Sequence, residues 1–354
     1  MSALLPQFVL GGRIVSMAAS YCFVIAEAGV NHNGDPELAE QLITAAAAAG
    51  ADAVKFQTFC ADRLATASAP KADYQMDSAR DSVSQRQMLR QLELPEASYP
   101  RLQKACERHG LLFLSSPFDE ESADFLAGLG VEAFKVPSGE LTNLPFLAHL
   151  ARKGKPLIVS TGMADLGEIE AAVRVIEAEG SPDFALLHCT SEYPCPAEDV
   201  NLRAMATLSK AFQRPVGFSD HTEGIAIALA AAALGACMVE KHFTLDRHLP
   251  GPDHAASLEP DELRALVSGI RKVNAAMGCG RKRPNGGEAA TARVVRKSIV
   301  ARTDIAAGAI VRSEMVALRR PGTGLPVSEL PRVIGRRARA PIAADSLIAW
   351  SMFE

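Results

Sequence analysis

PVGFSDH (215–221) and MVEKHFT (238–244) are the stretches on which the reading of this chain turns. Each is a short, near-continuous apolar run ending in acidic and imidazole side chains. Such runs suit parallel strands buried on both faces. Working outward, the same pattern recurs at FVIAEAG (23–29), DAVKFQT (52–58), LLFLSSP (111–117), AFKVPSG (133–139), PLIVSTG (156–162) and ALLHCT (185–190), which makes eight strand candidates. Helix-like segments lie between them, among them ELAEQLITAAAAAG (37–50), ASYPRLQKACERHG (97–110) and GEIEAAVRVIEAEG (167–180), each ending in the glycine that commonly stops a helix. Eight β/α units in some 280 residues match a (β/α)₈ TIM barrel in count and size. A doubly wound sheet is the alternative, and eight regular units favour closure.

The gap between the second and third strands, residues 59–110, is long, and its ATASAPKADYQ run is rich in Pro, Ala and Ser. It reads as an extended loop over the barrel mouth, where function concentrates. After RKRPNGGEAATA (281–292), polar and Gly/Pro-containing, short strand and turn patterns replace helices. The expected division is a barrel over 1–283, a linker over 284–294 and a separate small domain of short strands and turns over 295–354.

The chain has 354 residues, 48% hydrophobic, with net charge −4 and pI near 6.1. A balance so close to neutral argues against a general nucleic-acid binder. The charge is uneven: residues 281–340 hold 14 Lys/Arg against 4 Asp/Glu, or +10, residues 341–354 add −2, and −12 is left for residues 1–280. The basic tail reads equally as a solvated face or as a surface that meets an acidic barrel or an anionic ligand. Seven scattered cysteines, with no CxxC pair, suit free thiols in a reducing cytosol. The apolar stretch around Phe8–Val15 is short, interrupted by Arg13 and without a basic leader, so a signal peptide is not expected. No run of about 18 apolar residues is present to span a membrane.

Every strand pattern ends in polar chemistry: Glu27; Lys55 and Gln57; Ser115 and Ser116; Lys135 and Ser138; Ser160 and Thr161; His188; Asp220 and His221; Glu240 and His242. In a barrel these ends form one mouth, so all are expected to converge. For any single position a hydrogen-bonded strand terminus is the plainer reading; for eight strands together it is weak. Neighbouring strands lie about 4.8 Å apart, so His221 and His242 could hold one divalent ion with open positions for substrate. His188 is either a third ligand or, the favoured reading, a buried neutral histidine. His32 reads as a surface residue or a substrate contact, and His109, His149, His248 and His254 as structural. Lys55 and Lys135 are costly to bury unless they face an anion, and with the nearby hydroxyls they describe a phosphate and carboxylate cradle. A Schiff-base lysine is the competing chemistry. Glu27 reads as a general base or a hydroxyl anchor.

IAEAGVNHNG (25–34), VKFQTF (54–59), FLSSPFD (113–119), FKVPSGE (134–140), STGM (160–163), LLHCTSEYPCP (186–196), GFSDHT (217–222), EKHFTLDRHLPGPDH (240–254) and RRPGTG (319–324) together resemble the sialic acid synthase family, from about residue 22 to the end. The C-terminal part resembles that family's antifreeze-like (SAF) domain. The resemblance implies a phosphoenolpyruvate-dependent transferase. Phosphoenolpyruvate is joined through C3 to the aldehyde of N-acetylmannosamine or a relative, and phosphate leaves by C–O cleavage. It implies His221 and His242 as ligands of a divalent metal, with Mn²⁺ ahead of Mg²⁺ or Co²⁺. Lys55, Lys135, Ser138, Ser160 and Ser219 are then phosphoenolpyruvate contacts, and Glu27 is the base or partner of a metal-held water. Glu140, Tyr193 and Asp253 resemble sugar contacts, and Gln57 and Ser116 join the substrate-binding set. Ser191 stands where some members have Asn. The resemblance further implies a cytoplasmic, domain-swapped homodimer in which Arg320 of one subunit reaches the sugar of the other. The first acceptor reading is N-acetylmannosamine, giving N-acetylneuraminate. The alternative is 2,4-diacetamido-2,4,6-trideoxymannose, giving N,N'-diacetyllegionaminate, because TASAPKADYQ (66–75) resembles the loop of that branch. Two rivals of other classes are a metal-independent, lysine-based pyruvate aldolase and a non-catalytic ice- or polysaccharide-binding protein. The second expects a Thr-rich face, whereas the tail is Arg-rich.

Overall fold

Alternation within each strand decides which way its side chains face, and that sorting builds both the core and the cavity. The computed structural model describes residues 7–16, 21–72, 84–180 and 183–354, so Asp73, Tyr74 and Gln75 of the acceptor-loop reading lie outside the described residues. An antiparallel hairpin comes first, β1 (Gln7–Leu10) and β2 (Arg13–Ser16). Strands and helices then alternate: β3 (Phe23–Gly29), α1 (Pro36–Ala49), β4 (Ala53–Thr58), α2 (Ala61–Leu64), α3 (Gln85–Leu92), α4 (Tyr99–His109), β5 (Leu112–Pro117), α5 (Glu120–Leu129), β6 (Phe134–Val136), α6 (Leu144–Ala151), β7 (Leu157–Ser160), α7 (Leu166–Ala178), β8 (Phe184–Cys189), α8 (Ala204–Phe212), β9 (Val216–Asp220), α9 (Ala226–Ala233), β10 (Met238–His242) and α10 (Pro260–Met277).

The eight strands β3–β10 form one parallel sheet in the order β5-β4-β3-β10-β9-β8-β7-β6. β5 and β6, the two ends of this order, lie side by side, so the sheet curls into a nearly closed barrel. The expected TIM barrel is the fold observed. Helix ends follow the sequence signals: Asp35 caps α1 by accepting the Glu37 amide, and Gly50 and Gly110 end α1 and α4 in the left-handed conformation that glycine adopts without strain.

Outward-facing strand residues such as Val54, Phe56, Phe134, Val159 and Phe218 pack against the helices through Leu42, Leu102, Leu147, Ile169 and Leu266. Inward-facing Phe23, Ile25, Ala53, Leu114, Ile158, Leu187 and Met238 fill the lower barrel, and the hairpin adds Phe8, Leu10 and Val15 to this cluster. The apolar stretch near the N-terminus is thus the barrel's floor. An ion network ties it down: Asp52 accepts from the Val24 amide at 2.7 Å and from Arg271 at 2.7 Å, and pairs with Arg13 at 3.1 Å. The Arg13 and Arg271 guanidiniums lie over the ring of Tyr21 at 4.5 and 4.4 Å. Among the described residues, no helix is long and apolar enough to cross a membrane.

The chain divides into two compact units, Met1–Gly278 and Cys279–Glu354. The second contains α11 (Gly286–Val295), β11 (Ser298–Ala301), β12 (Val316–Arg319) and α12 (Leu330–Val333) around its own core of Ile299, Ala301, Ile305, Val311, Ile342 and Ile348. The stretch expected to be a linker, 284–294, is helical over most of its length. Asn285 accepts the Glu288 amide at 2.9 Å while Glu288 accepts the Asn285 amide at 3.0 Å. This capping box overrides the helix-breaking tendency of Gly286 and Gly287.

Candidate functional site

Above the apolar floor, the next inward layer of the barrel is charged. Glu27 follows Ile25 by two residues on β3, Lys55 follows Ala53 on β4, Ser116 follows Leu114 on β5, and Glu240 follows Met238 on β10, so each lies on the interior face. Lys55 Nζ lies 2.8 Å from Glu27 Oε1, donates to Ser116 Oγ at 3.0 Å, and is 3.8 Å from Glu240 Oε2. Lys135 Nζ lies 3.3 Å from Glu240 Oε1, which also accepts from Ser219 Oγ at 3.1 Å. Glu240 therefore sits between the two ammonium groups. The Gln57 amide donates to Glu27 Oε1 at 3.4 Å.

These side chains line one cavity of about 460 Å³ together with Ser138, Glu140, Ser160, Ser191, Tyr193, His221, His242 and Asp253. Every candidate from the barrel is thus brought to one hollow. Arg320 belongs to the second unit, exposed just beyond β12. The imidazoles of His221 and His242 have centroids 5.6 Å apart, and the Tyr193 ring lies 4.0 Å from that of His221. His221 Nδ1 is 2.7 Å from the Thr190 carbonyl oxygen, to which it donates, leaving Nε2 as the free lone pair. His242 Nδ1 is buried without a hydrogen-bond partner, 3.7 Å from Asp253 Oδ2, and Glu27 Oε2, Glu240 Oε2 and Ser160 Oγ are also buried without one.

Burial perturbs the ionisation of this layer. It raises Glu27 above the ordinary carboxylate range despite the Lys55 ammonium. It works against the Glu240 carboxylate too, but Lys135 and Lys55 outweigh it and hold that group low. Asp253 is raised by burial to about 6, against the pull of His221 and Lys55. Burial lowers Lys135, which Glu240 only partly offsets, whereas for Lys55 the charges of Glu240 and Glu27 overcome burial and raise it. Burial drives His242 well below its usual range, with the Lys55 charge adding to the effect, so its imidazole is held neutral.

Convergence of all strand-end polar groups is corrected by the structure. Ser115 faces outward and shares a 2.7 Å hydrogen bond with Thr58; Thr161 donates to the Leu187 carbonyl at 2.9 Å; Asp220 pairs with Lys241 at 2.9 Å. His188 meets the Val200 carbonyl at 2.6 Å and packs beside Phe218, with its pKa lowered by burial, as a neutral structural histidine. All four occupy odd positions relative to their inward-facing neighbours, so the period-2 rule would have separated them. His32, read as a surface residue or substrate contact, is fully buried.

Three features of the cavity were given no role in the sequence reading. Glu240, expected at the mouth beside His242, turns out to be central to it. Cys189 lies 3.8 Å from His221 Nδ1. An apolar wall is formed by Val30, Leu64, Met88, Leu89, Leu92 and Phe118, three of them from α3. The 59–110 segment was expected over the mouth; that part of it is a helix turning an apolar face to the cavity was not. Among the described residues, one trio of ligand-type side chains has its ligand atoms mutually within 4.8 Å: Asp246, His248 and Glu259. None of the three lines the cavity, and Asp246 Oδ1 is already engaged by His248 Nδ1 at 2.8 Å.

Comparison with known proteins places the chain in a family. Residues 42–282 match the NeuB family and residues 296–354 the SAF domain. The chain is 48% identical to N,N'-diacetyllegionaminic acid synthase of Legionella pneumophila over 94% of this chain and 95% of the relative. It is also 48% identical to the protein of that name from Campylobacter jejuni, over 92% and 98%. The crystal structure of N-acetylneuraminic acid (sialic acid) synthetase from Leptospira borgpetersenii superposes with a TM-score of 0.71 at 34% identity, covering 82% of this chain and 96% of that one. With a charged barrel mouth of this kind and matches of this extent, the chain belongs to the NeuB family of phosphoenolpyruvate-dependent condensing enzymes, its last residues forming a SAF domain.

Proposed function

We propose that this enzyme condenses phosphoenolpyruvate with 2,4-diacetamido-2,4,6-trideoxymannose, consuming one water, to give N,N'-diacetyllegionaminate and phosphate. The observation that carries the reading is the single cavity in which two buried ammonium groups, Lys55 and Lys135, stand beside two imidazoles. In the free enzyme Glu240 holds both lysines, and an incoming phosphate and carboxylate would share them. Anion binding favours the charged form of Lys135, which burial alone lowers. The unpartnered Ser160 hydroxyl and Ser138 supply further donors.

The donor set also fits a divalent metal. His242 Nδ1 and Glu27 Oε2 are buried and unpartnered, and the Thr190 carbonyl fixes the His221 tautomer with Nε2 free. His221 and His242 would hold such an ion, with Mn²⁺ the first expectation. Bound there, it would supply Lewis-acid polarisation of the acceptor's aldehyde oxygen. Glu27, raised by burial, can hold a proton at Oε2 near neutral pH and is placed to exchange it. Tyr193, its ring 4.0 Å from that of His221, lines that side of the cavity. Glu140 and Asp253 bind the sugar, a role the resemblance implies. A cytoplasmic, domain-swapped homodimer in which the partner's Arg320 completes the acceptor site belongs to the same reading.

Two observations move the acceptor from N-acetylmannosamine to the diacetamido sugar. Both relatives at 48% identity are named for N,N'-diacetyllegionaminic acid, against 34% for the N-acetylneuraminic acid enzyme. The α3 wall of Met88, Leu89 and Leu92 suits a C6 methyl and acetamido methyls better than a hydroxymethyl group. Apolar contact with a group of that size discriminates by about 10–100-fold.

The test is phosphate release from phosphoenolpyruvate and Mn²⁺ with each sugar in turn. The expected kcat/KM is about 10–100-fold higher with the diacetamido sugar. Equal or faster turnover of N-acetylmannosamine restores the first acceptor reading. Release with neither sugar, together with borohydride trapping of pyruvate on Lys135 or Lys55, would replace condensation by the aldolase.

A further inference from the structure

Asp220 and Lys241 face away from the cavity, on the helix-covered side of β9 and β10, and are wholly buried. Lys241 Nζ donates to Asp220 Oδ2 at 2.9 Å and to the Thr222 carbonyl oxygen. Asp220 Oδ1 accepts from the Thr222 amide at 2.9 Å and from its hydroxyl at 2.8 Å. The unit is therefore closed: both carboxylate oxygens are satisfied, and the ammonium has two acceptors.

A buried pair of this kind is weak evidence for stability. Desolvation costs several kcal/mol per ion, and apolar residues of similar volume are commonly as good or better. In some proteins a buried polar or ionic group instead fixes one arrangement against near alternatives. Here the position of the pair matters. The parallel ladder between β9 and β10 ends at Lys241↔Asp220. His221 is the next residue on one strand, beyond the ladder, and His242 is the next on the other. Pairing between β9 and β10 thus stops one residue short of the two imidazoles; His242 is still paired with Glu27 of β3, whereas His221 lies beyond the end of β9.

We propose that Asp220, Thr222 and Lys241 form a clamp that positions His221 against His242 for metal binding. They are positioning residues, since none of them lines the cavity. The proposal rests on the metal reading above. It extends that reading to three residues on the opposite face of the strands, in the SDHT and EKH segments whose Asp, Thr and Lys the mechanism leaves unused.

The test is Mn²⁺ titration of the full-length protein by electron paramagnetic resonance, without substrates. Lys241→Met, which acts through Asp220 and Thr222 and not on an imidazole directly, should raise the Mn²⁺ Kd by about 10-fold, the low end of the effect of losing a direct partner of a ligand, and kcat at saturating Mn²⁺ should recover most of its value. A merely structural pair would lower the melting temperature and leave the Kd alone. A folded Lys241→Met protein whose Kd stays within about twofold of wild type overturns the clamp. If that variant does not fold, Thr222→Val decides. It removes one hydroxyl donor at constant shape, should loosen Mn²⁺ several-fold, and should be rescued by Thr222→Ser; an unchanged Kd overturns the clamp as well. Wild-type protein that binds no Mn²⁺ brings down the metal reading and the clamp together, whereas tight binding by both wild type and variant brings down the clamp alone.

Discussion

His32 lies inside the loop that follows β3, where its Nδ1 accepts the Gly34 amide proton at 3.0 Å and its Nε2 is buried without a hydrogen-bond partner. Burial lowers its pKa to about 4. In the unfolded chain it titrates at the ordinary value of about 6.5. The unfolded state therefore takes up the proton first, and stability from the neutral imidazole is fully present above about pH 6.5 and lost as pH falls towards 4. The gap corresponds to about 3 kcal/mol. His32→Asn keeps an acceptor near the position of Nδ1 and removes the titration. Its unfolding free energy should fall less steeply than that of the wild type between pH 6.5 and 4, measured by urea denaturation at each pH. Parallel slopes in the two proteins would show that His32 is free to ionise in the folded state. From the sequence, NHNG gave no sign of this burial, because a polar, Gly-containing loop ordinarily faces water; the position of His32 depends on β10 and the 251–257 loop closing over it, through Asn31 to the Phe243 carbonyl and Ser257.

At the scale of elements, the hairpin of β1 and β2 closes the barrel below the charged layer. Leu10 is fully buried among Phe23, Leu114, Ile158 and Met238. Leu10→Ala should destabilise the barrel by about 2–4 kcal/mol, the cost of a lost side chain plus a residual cavity. Chemical denaturation measures that loss, while kcat under native conditions should stay near wild type because the cavity lies at the other end of the strands. A large fall in kcat without loss of stability would mean that the floor and the mouth are coupled. The eight strands were legible because parallel strands buried on both faces leave uninterrupted apolar runs, and the helices because Gly50 and Gly110 mark their ends. The direction of each polar side chain was equally legible by counting in twos from the apolar core, which separates Lys55 and Glu240 from Ser115, His188 and Asp220. Two elements were not readable in this way. The walls contributed by α3 depend on tertiary placement of a long β/α segment, and α11 is announced by Asn285 and Glu288 against two glycines that point the other way.

For the whole molecule, the two units carry opposite charge and separate cores. Over Cys279–Glu354 the 14 basic residues exceed 6 acidic ones by 8, and the remaining residues then carry −12 to reach the total of −4. The swapped dimer proposed above would bring this basic unit to the acidic barrel of the partner chain. The proposed swapped dimer makes a choice that can be tested by complementation. His242→Ala disables the barrel and leaves Arg320 in place; Arg320→Ala leaves the barrel and removes the acceptor contact. Each homodimer should be nearly inactive with the diacetamido sugar. Co-expressed, the two chains form mixed dimers. If Arg320 acts on the partner's barrel, one site in each mixed dimer has an intact His242 from one chain and an intact Arg320 from the other. Random assembly then returns about a quarter of the wild-type specific activity, since half the dimers are mixed and each carries one complete site of two. If Arg320 serves its own barrel, every site in the mixture lacks one of the two groups, and activity stays at the level of the separate variants. Recovery in the mixture, with Arg320→Ala alone raising the KM of the sugar far more than that of phosphoenolpyruvate, assigns the basic unit to the other subunit's acceptor; absence of recovery, with mixed dimers demonstrated by differential tagging, places it on its own.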